Sequence, residues 1–400
     1  MRRTLFALSI ASAVGCDHSP EVTLPAAASL TRQASESQYD VVTLDPLGGT
    51  VSRGSGINNL GWVAGYSNLT NNAARHATLW TASDAAPIDL GSLGGPLRHS
   101  SAQWPGVNNN GMIVGISHTA IPDTLGEDWS CSAFLPASDR TCVGFVWEEG
   151  VMKPLPTLGG DHGFATGVNN NGQVVGWAET RVVDPTCDAP AQVLQFRAVM
   201  WEPKKGTMRE LPPWPGDSTS AATAINQRGQ VVGISGECDI AVGRFSAQRA
   251  VLWDPDGTMT NIGGLGGISW HTPMAINERG DIVGFSNPSG DANGEFMVRA
   301  FLWTKAGGMR SLGTLDGDAT SQALGINSRG QVVGVSCNIS NVCRGVLWEN
   351  GVLHELTQLL GPSFPDSVAS AQHINDAGII TGRLVQKSTG RSLAFVATPR

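Results

Sequence analysis

A short pattern of apolar, polar and glycine positions recurs seven times along the chain. Each copy has a β-branched apolar residue, an Asn, a Gly three residues later, usually an apolar pair, and a second Gly seven residues after the Asn. The Asn residues of the seven copies are Asn58, Asn108, Asn169, Asn226, Asn277, Asn327 and Asn375. Because a rigid unit recurs at a variable period of 48 to 61 residues, the pattern predicts stacked supersecondary repeats, as in solenoids and propellers.

Each repeat predicts two hairpins and therefore four short strands, labelled A to D. In the sixth repeat, the apolar runs Ala323–Ile326 and Gln331–Val335 flank Asn327–Gly330, which is typical of a type I turn closed by a glycine bulge. Gly345–Trp348 and Val352–Leu359 then predict a second hairpin. The strand-B glycine weakens a strand unless another backbone packs closely against it, so we expect crowded strands there.

The two ends of the chain predict how the array is completed. Tyr39–Leu44 resembles a strand D and precedes the first Asn unit, whereas the last repeat has a strand C at Leu393–Ala397 and no strand D. A ring needs its last blade to take a strand from the start of the chain, and an open solenoid needs two caps. The sequence therefore predicts an all-β, seven-bladed β-propeller of four-stranded antiparallel blades, closed by an N-terminal strand, over 39–400.

Three recurring motifs carry a family resemblance. The segments GINSRGQVVGVS, RAFLW and LGTLDGD resemble HAF repeats, a group of extracellular repeats named for a His-Ala-Phe tripeptide. His76-Ala77 keeps the His, and four other repeats place Arg at that position. The resemblance covers residues 40–400 and implies an exported repeat protein. It implies no catalytic residues.

The first residues predict export and anchoring. Arg2 and Arg3, an apolar run and a small-residue end at Cys16 resemble a bacterial lipoprotein signal over 1–16, with Cys16 lipidated. Residues 17–38 lack periodicity and predict a flexible tether. We expect a lipid-anchored protein of the bacterial cell envelope, periplasmic or surface-exposed. The alternative is an ordinary secretory signal and a secreted protein.

Composition narrows the classes of partner. The chain has 50 Gly, 15% charged residues and a formal net charge of −8, which argues against nucleic acid, because that partner requires a basic surface. Membrane contact is expected only through the lipid anchor. No dinucleotide fingerprint, Walker loop, zinc-protease motif or serine elbow occurs, so no cofactor, metal ligand or catalytic residue is predicted. We expect a monomer.

The two faces of the predicted ring differ. The A–B and C–D turns are tight and lie on one face, here named the constant face, while the B–C and D–A loops lie on the opposite, variable face. From the strand-B Gly to the end of strand C, the repeats span 14 to 32 residues. All six remaining cysteines fall in B–C loops. Their placement favours three disulfides over the other possible pairings: Cys131–Cys142, Cys187–Cys238 and Cys337–Cys343.

Candidate functional residues concentrate on the variable face, where a rigid scaffold usually carries its binding loops. They are Arg98, His99, Trp104, Trp129, Asp161, His162, Trp214, Asp217, Trp270, His271 and Asp318. The favoured hypothesis is a non-catalytic binding scaffold whose aromatic rings and carboxylates contact a protein or glycan. The alternatives are an exported carbohydrate-active enzyme, either a polysaccharide lyase or a glycoside hydrolase using His–carboxylate pairs, and a purely structural surface protein.

Two other recurring positions predict packing rather than function. Six repeats end strand C with Trp, and five place a basic residue just before that strand: His76, Arg197, Arg249, Arg299 and Arg344. An arc of arginines is suited to binding carboxylates or sulfates. We favour a structural role, in which these residues pair with carboxylates or backbone carbonyls beside them.

Overall fold

The protein is described by a computed structural model that covers residues 38–81, 86–127, 129–291 and 293–400. The described part is one compact all-β unit with two short α-helices and a 3-10 helix. The predicted signal segment, Cys16 and nearly all of the predicted tether lie outside the described residues.

Short strands follow one another along the whole described chain. They are β1 (Tyr39–Thr43), β2 (Gly48–Ile57), β3 (Val63–Leu69), β4 (Arg75–Trp80), β5 (Ile88–Asp89), β6 (Ser100–Ser101), β7 (Ile113–Pro122), β8 (Arg140–Glu148), β9 (Val151–Pro154), β10 (Gly163–Val168), β11 (Val174–Val183), β12 (Leu194–Glu202), β13 (Thr207–Leu211), β14 (Thr219–Ile225), β15 (Val231–Gly236), β16 (Arg249–Trp253), β17 (Met259–Gly263), β18 (Thr272–Ile276), β19 (Ile282–Ser286), β20 (Arg299–Thr304), β21 (Gly308–Gly313), β22 (Thr320–Ile326), β23 (Val332–Cys337), β24 (Cys343–Glu349), β25 (Val352–Glu355), β26 (Ser367–Ile374), β27 (Ile380–Val385) and β28 (Ser392–Pro399). The helices are a 3-10 turn at Thr70–Asn72, α1 (Trp129–Ser132) and α2 (Leu356–Leu359).

Consecutive strands pair into antiparallel sheets. Five sheets have four strands each, and a sixth has eight strands. In the large sheet, β2–β5 form one antiparallel half and β26–β28 with β1 form the other, and a single parallel residue pair, Val51 with Ser392, joins the halves. Four-stranded antiparallel sheets that follow one another in this way form a β-propeller.

The first and last strands pair as the sequence predicts. β1 lies antiparallel to β28, in register from Tyr39 opposite Pro399 to Thr43 opposite Phe395. Arg400 adds an ion pair to Asp40 at 2.8 Å. The N-terminal strand therefore completes the sheet of the C-terminal strands, which confirms the predicted closure.

The seven repeat asparagines form a closed ring of hydrogen bonds, here named the asparagine ring. Each side-chain Nδ2 donates to the backbone oxygen of the asparagine in the next repeat, at 2.9 to 3.2 Å. The series runs from Asn58 through Asn108, Asn169, Asn226, Asn277, Asn327 and Asn375, and returns to Asn58. Because the last bond returns to the first residue, this ring connects all seven repeats.

The same asparagine also shapes its own turn. Asn327 Oδ1 accepts hydrogen bonds from the backbone N–H groups of Arg329 and Gln331, at 3.1 and 3.0 Å. Gly330 adopts φ of 84°, which favours glycine, and donates to the backbone oxygen of Asn327. The predicted turn is confirmed. The bond from one repeat to the next was not predicted.

Packing within each hairpin explains the second glycine. A Cβ on Gly334 would collide with the backbone oxygen of Gln322 on the paired strand β22. The equivalent glycine of every other repeat faces a strand-A carbonyl in the same way. The predicted crowding is real, but the neighbour is the partner strand of the same hairpin, at a bulge in its register.

The strand-C tryptophans pack between repeats, as predicted. Trp201 and Trp253 are almost fully buried, and their indole N–H groups donate to the carbonyls of Pro156 and Pro212 at 2.9 Å. Both prolines follow strand D of the preceding repeat. Each indole therefore covers apolar surface and ties neighbouring sheets together.

Two strand boundaries differ from the prediction. Strand D of the sixth repeat ends at Glu355, where α2 begins, because Leu356 and Leu359 turn into the core. The second repeat has only Ser100–Ser101 as its innermost strand, since Pro105 lacks the N–H that pairing would require.

Candidate functional site

Three disulfides hold the loops of the variable face. They join Cys131 to Cys142, Cys187 to Cys238, and Cys337 to Cys343, so the predicted pairing is confirmed. The second of them connects the B–C loops of adjacent repeats. Three disulfides indicate an oxidising compartment, extracellular or periplasmic. Among the described residues, no helix has the length and apolar character needed to cross a membrane.

The predicted acidic residues of the D–A loops are engaged within the protein. Asp318 pairs with Arg344 at 2.9 Å, and Asp217 pairs with Arg249. Both carboxylates are nearly buried. The other basic residues before strand C also have local partners, namely Asp89 for His76, Glu210 for Arg197 and the Ala319 carbonyl for Arg299. These contacts support the structural role of this position.

The four loop tryptophans do not form one exposed aromatic surface. Trp129 and Trp270 donate their indole N–H groups to backbone carbonyls, at 2.9 Å to Ala241 and 3.2 Å to Gly294. Trp214 packs partly buried against the core of the fourth repeat. Trp104 is only 8% exposed and packs on Phe134 and Phe164.

Two of the predicted histidines have intramolecular partners. His271 is buried with Nδ1 2.8 Å from the Ser286 hydroxyl, and burial lowers its pKa. His99 accepts a hydrogen bond from the backbone N–H of Arg75 at 3.0 Å. Burial lowers the pKa of His99, and the nearby Arg75 and Arg98 add to that effect. Arg98 itself lies 3.6 Å from Asp139.

His162 lies at the centre of a buried group, here named the His162 cluster, with Asp123, Glu127 and Glu179. Its backbone N–H donates to Glu179 at 2.8 Å, and its Nε2 lies 3.7 Å from Asp123 Oδ2. Glu127 accepts bonds from the backbone N–H groups of residues 193 and 194. Burial, together with the neighbouring Glu127, raises the pKa of Glu179 to about 7, against the opposing effect of His162.

The tautomer of His162 decides what this cluster can bind. One ligand atom each from Glu127, His162 and Glu179 lies close enough to the others for a shared cation. However, His162 Nδ1 accepts the backbone N–H of Cys142 at 3.1 Å, so the proton of the neutral ring is on Nε2. A protonated Nε2 cannot ligate a metal, so the neutral ring in this tautomer is not a cation ligand.

A separate cavity of about 410 Å³ lies at the centre of the variable face and is here named the central cavity. Its wall consists of inner-strand residues from several repeats together with B–C loop residues such as Phe134 and Cys343. Of the predicted residues, Trp104 alone lines it, while Asp161 borders a different cleft beside Thr119 and Ile121. The asparagine ring borders a smaller cavity at the opposite end of the inner strands.

Several buried polar atoms of the central cavity have no partner among the described protein groups. They are Ser55 Oγ, Trp104 Nε1 and Ser370 Oγ, on side chains that are 1%, 8% and 5% exposed. The amides of Gln322 and Gln372 also line the wall. Because a buried polar atom without a hydrogen bond costs about 1–3 kcal/mol, such a wall favours a polar ligand.

One side of the central cavity is basic. Arg53 and Arg383 line it, and Arg53 and Arg75 lie over the Tyr66 ring at 5.0 and 4.3 Å from its centroid. Within the described chain, no carboxylate lies within 4.0 Å of these three guanidinium groups. Burial raises the pKa of Tyr66, but the three arginines outweigh it, so the pKa is lowered overall.

Two positions of the repeat unit carry polar residues in repeats that line this cavity, and a comparison of the seven repeat sequences would have identified them. The fifth residue before the Asn is Arg53, Gln103, Phe164, Ala221, Thr272, Gln322 and Ser370 in the seven repeats. The eighth residue after the Asn is apolar or aromatic in six repeats and is Arg383 in the last repeat. The polar exceptions belong to the repeats whose inner strands line the central cavity. The signal therefore lay in strand positions rather than in loops.

Comparison with known proteins concerns the fold alone. No protein-family model matches the chain, and no curated protein matches it. An acylaminoacyl peptidase in complex with Z-Gly-Gly-Phe-chloromethyl ketone is similar, with 11% identity, a TM-score of 0.50 and coverage of 87% of this chain. The match covers 51% of the peptidase, so this chain spans about half of that protein's length. Two further structures have lower TM-scores. TolB from Acinetobacter baumannii has 10% identity and a TM-score of 0.42, and the match covers 85% of this chain and 64% of TolB. Trypanosoma rangeli sialidase has 10% identity and a TM-score of 0.39, and the match covers 89% of this chain and 55% of the sialidase. All three are β-propeller proteins.

Proposed function

We propose that this protein is an exported, non-catalytic binding scaffold and that its ligand, a glycan or a protein, binds in the central cavity. One observation carries the proposal. A cavity of about 410 Å³ opens at the ring centre, and its wall holds buried hydroxyl and indole groups that lack protein partners. Ligand sites combine this size with a few convergent polar groups on an otherwise apolar wall.

The proposal includes a seven-bladed ring. The eight-stranded sheet divides into two four-stranded halves that share one residue pair, and each half carries one of the seven asparagines. With the five other sheets, this division yields seven units. The hydrogen bond from Asn375 to Asn58 supports a closed arrangement of these units, since it connects the last repeat to the first.

Export and anchoring belong to the same proposal. The three disulfides support an exported protein, and the lipoprotein-like segment ending at Cys16 supports attachment to a membrane of the cell envelope. The resemblance to HAF repeats is in agreement with both. Radiolabelled palmitate incorporation in the bacterial host, compared with a Cys16→Ser variant, tests the anchor.

The character of the wall favours binding over acid–base catalysis. No Asp, Glu or His among the described lining residues borders the central cavity. The His162 cluster does bring acids and an imidazole together, but His162, Glu127 and Glu179 are completely buried and away from this wall. A substrate in the central cavity would not reach them.

A ligand screen tests the proposal. The chain from residue 17 onward is titrated calorimetrically with neutral and acidic oligosaccharides and with peptides. The double variant Gln322→Ala/Gln372→Ala should weaken binding at least about tenfold, because both residues line the cavity and neither side-chain amide forms a hydrogen bond with another described residue. Ser328→Ala on the constant face is the control and should bind normally. If a ligand binds the double variant as tightly as it binds the control variant, the central cavity is not its site and the proposal is contradicted. If no ligand binds the wild type, the result favours a purely structural protein.

A further inference from the structure

We infer that the central cavity recognises an acidic sugar, and that Arg53 and Arg383 bind its carboxylate or sulfate group. The inference rests on the proposed binding function and specifies its ligand. The supporting features are the unbalanced charge of the cavity, the orientation of the arginines, and the hydrogen-bonding groups on the rest of the wall.

The charge of the cavity is opposite to that of the whole protein. The chain has a net charge of −8, yet three guanidinium groups gather at one side of the cavity, where no described carboxylate pairs with them. Other arginines of the variable face, such as Arg249 and Arg344, do have carboxylate partners. A partly buried charge without a partner is unfavourable, so this basic site is suited to an anion supplied from outside.

Arg53 is held in one orientation. Its Nη2 donates to the Gln103 carbonyl at 3.2 Å, and its guanidinium lies over Tyr66. Its Nε is buried and has no partner among the described protein groups. Arg75 stacks on the same ring and adds positive charge from behind, although it does not line the cavity.

Fixed guanidinium groups discriminate between anions by geometry. The planar fork of Arg matches the two oxygens of a carboxylate or sulfate, and a charged hydrogen bond of this kind is about twice as strong as a neutral one. Arg53 contributes a preoriented fork, and Arg383 contributes a second from the adjoining strand β27. Two arginines at one wall therefore favour a compact anionic group over an extended surface charge.

The remaining wall favours a sugar as the carrier of that anion. Three glutamine amides, Gln103, Gln322 and Gln372, offer both donors and acceptors, as sugar hydroxyls require. The hydroxyls of Ser55 and Ser370 and the indole N–H of Trp104 add unpartnered groups. Apolar patches from Met274 and Leu324 complete the wall, and they suit the C–H face of a sugar ring.

Calorimetry with matched probes tests the inference. The probes are a uronic-acid oligosaccharide, the same oligosaccharide with its carboxyl groups reduced to alcohols, a sulfated disaccharide and an acidic peptide. We expect the uronic or the sulfated probe to bind at least about tenfold more tightly than the reduced one, with an affinity that falls as salt rises. The comparison of the two acidic sugars identifies whether the anion is a carboxylate or a sulfate.

Variants then assign the effect to the two arginines. Arg53→Gln/Arg383→Gln should lose about tenfold or more in affinity for the acidic sugar and clearly less for the reduced probe. Arg209→Gln/Arg310→Gln is the control, because both residues are exposed on strands β13 and β21, neither lines the cavity, and their replacement removes the same two charges. Arg53→Lys keeps the charge without the fork and should lose part of the affinity. Circular dichroism and melting temperature verify that each variant is folded.

The outcomes separate this inference from the proposed function. If the reduced probe binds as tightly as the acidic one, the anion site is refuted while the binding scaffold stands. A preference for the acidic peptide over both acidic sugars refutes the sugar class. If Arg209→Gln/Arg310→Gln weakens binding as much as Arg53→Gln/Arg383→Gln, the acidic sugar is held by general electrostatic attraction and the specific site is refuted. Binding of none of the probes, together with a failed ligand screen, contradicts the proposed function itself.

Discussion

The asparagine ring and the central cavity lie at opposite ends of the same inner strands. They differ in whether their buried polar groups have hydrogen-bond partners. At the ring, Asn327 uses its oxygen for two backbone N–H groups of its own turn and its nitrogen for the next repeat. At the cavity, Ser55, Ser370 and Trp104 keep buried polar atoms without protein partners. The asparagine amides are satisfied within the fold, whereas the polar groups of the cavity are left for the ligand that we propose, and the stability of the first end can offset the cost of the second.

The largest expected effect is steric and concerns the repeat unit. Gly334→Ala places a methyl group against the Gln322 carbonyl, and the two strands of the hairpin must separate to admit it. We expect the free energy of unfolding to fall by about 3 kcal/mol or more, measured by urea denaturation. Gly307→Ala, at an exposed turn whose only close neighbour is a threonine hydroxyl, should change it by less than about 0.5 kcal/mol. Equal effects would contradict the crowding.

The second prediction uses pH to separate the two ends, because the asparagine amides are neutral and the His162 cluster near the variable face is not. The folded pKa of Glu179 is about 7, above its ordinary value of 4.5, so the folded state holds a proton that the unfolded state releases. The contribution of Glu179 to stability should therefore fall as pH rises from about 4.5 to 7, by up to about 3 kcal/mol. His162, whose pKa is raised by Asp123 and Glu179 despite its burial, contributes in the same direction. Burial lowers the pKa of His118 and of His373 to about 4, and these two groups contribute in the opposite direction, so the wild type must be compared with a variant at Glu179.

Urea denaturation between pH 4.5 and 8 measures this slope. The neighbouring Glu127 and Asp123 remain in the Glu179→Gln variant, so the variant isolates the titration of Glu179. Relative to the wild type, the variant should gain stability as pH rises and should be the more stable protein at pH 8. A stability difference between variant and wild type that stays constant between pH 4.5 and 8 would contradict the assignment.

The third prediction concerns the ring itself. Asn327→Ala removes the acceptor for two backbone N–H groups and the bond to Asn375, so the free energy of unfolding should fall by about 2 kcal/mol. Lys305→Ala is the control, because its exposed side chain makes no hydrogen bond or ion pair with the described residues, and it should be neutral within about 0.5 kcal/mol. If both variants unfold at the same urea concentration as the wild type, the ring does not stabilise the fold.

The smallest expected effect is a gain in stability, and it tests directly whether the cavity residue Arg383 is retained for binding rather than for the fold. Arg383→Met replaces an unpaired, half-buried guanidinium with an apolar chain of similar length, and stability should rise by about 1 kcal/mol. The acidic sugar should at the same time bind more weakly. A variant that is less stable than the wild type would show that Arg383 supports the fold.

Sequence reasoning predicted the features that arise from local chemistry. The turn at Asn327–Gly330, the pairing of the first strand with the last, and the three disulfides follow from turn residues, from the count of strands and from cysteine placement in the loops. Each depends on neighbours in sequence or on the regular order of repeats.

The candidate site was harder to predict, because it depends on which residues the closed ring brings together. Arg53 and Arg383 are separated by 330 residues in sequence and line one cavity only because the chain ends meet. The polar loop residues selected from the sequence, such as Asp217 and His271, have partners that only the folded chain supplies. Likewise, Glu127 comes from the long B–C loop of the second repeat and meets Glu179 on strand β11 of the third repeat.

The pairing of β1 with β28 also has a consequence for the timing of assembly. β1 has its partner in β28, far along the chain, so one sheet stays incomplete until β28 has been made. Until then, the apolar side of β1 has no permanent cover, and contacts this distant in sequence form slowly. A newly made chain must therefore be kept from aggregating until β1 and β28 can meet.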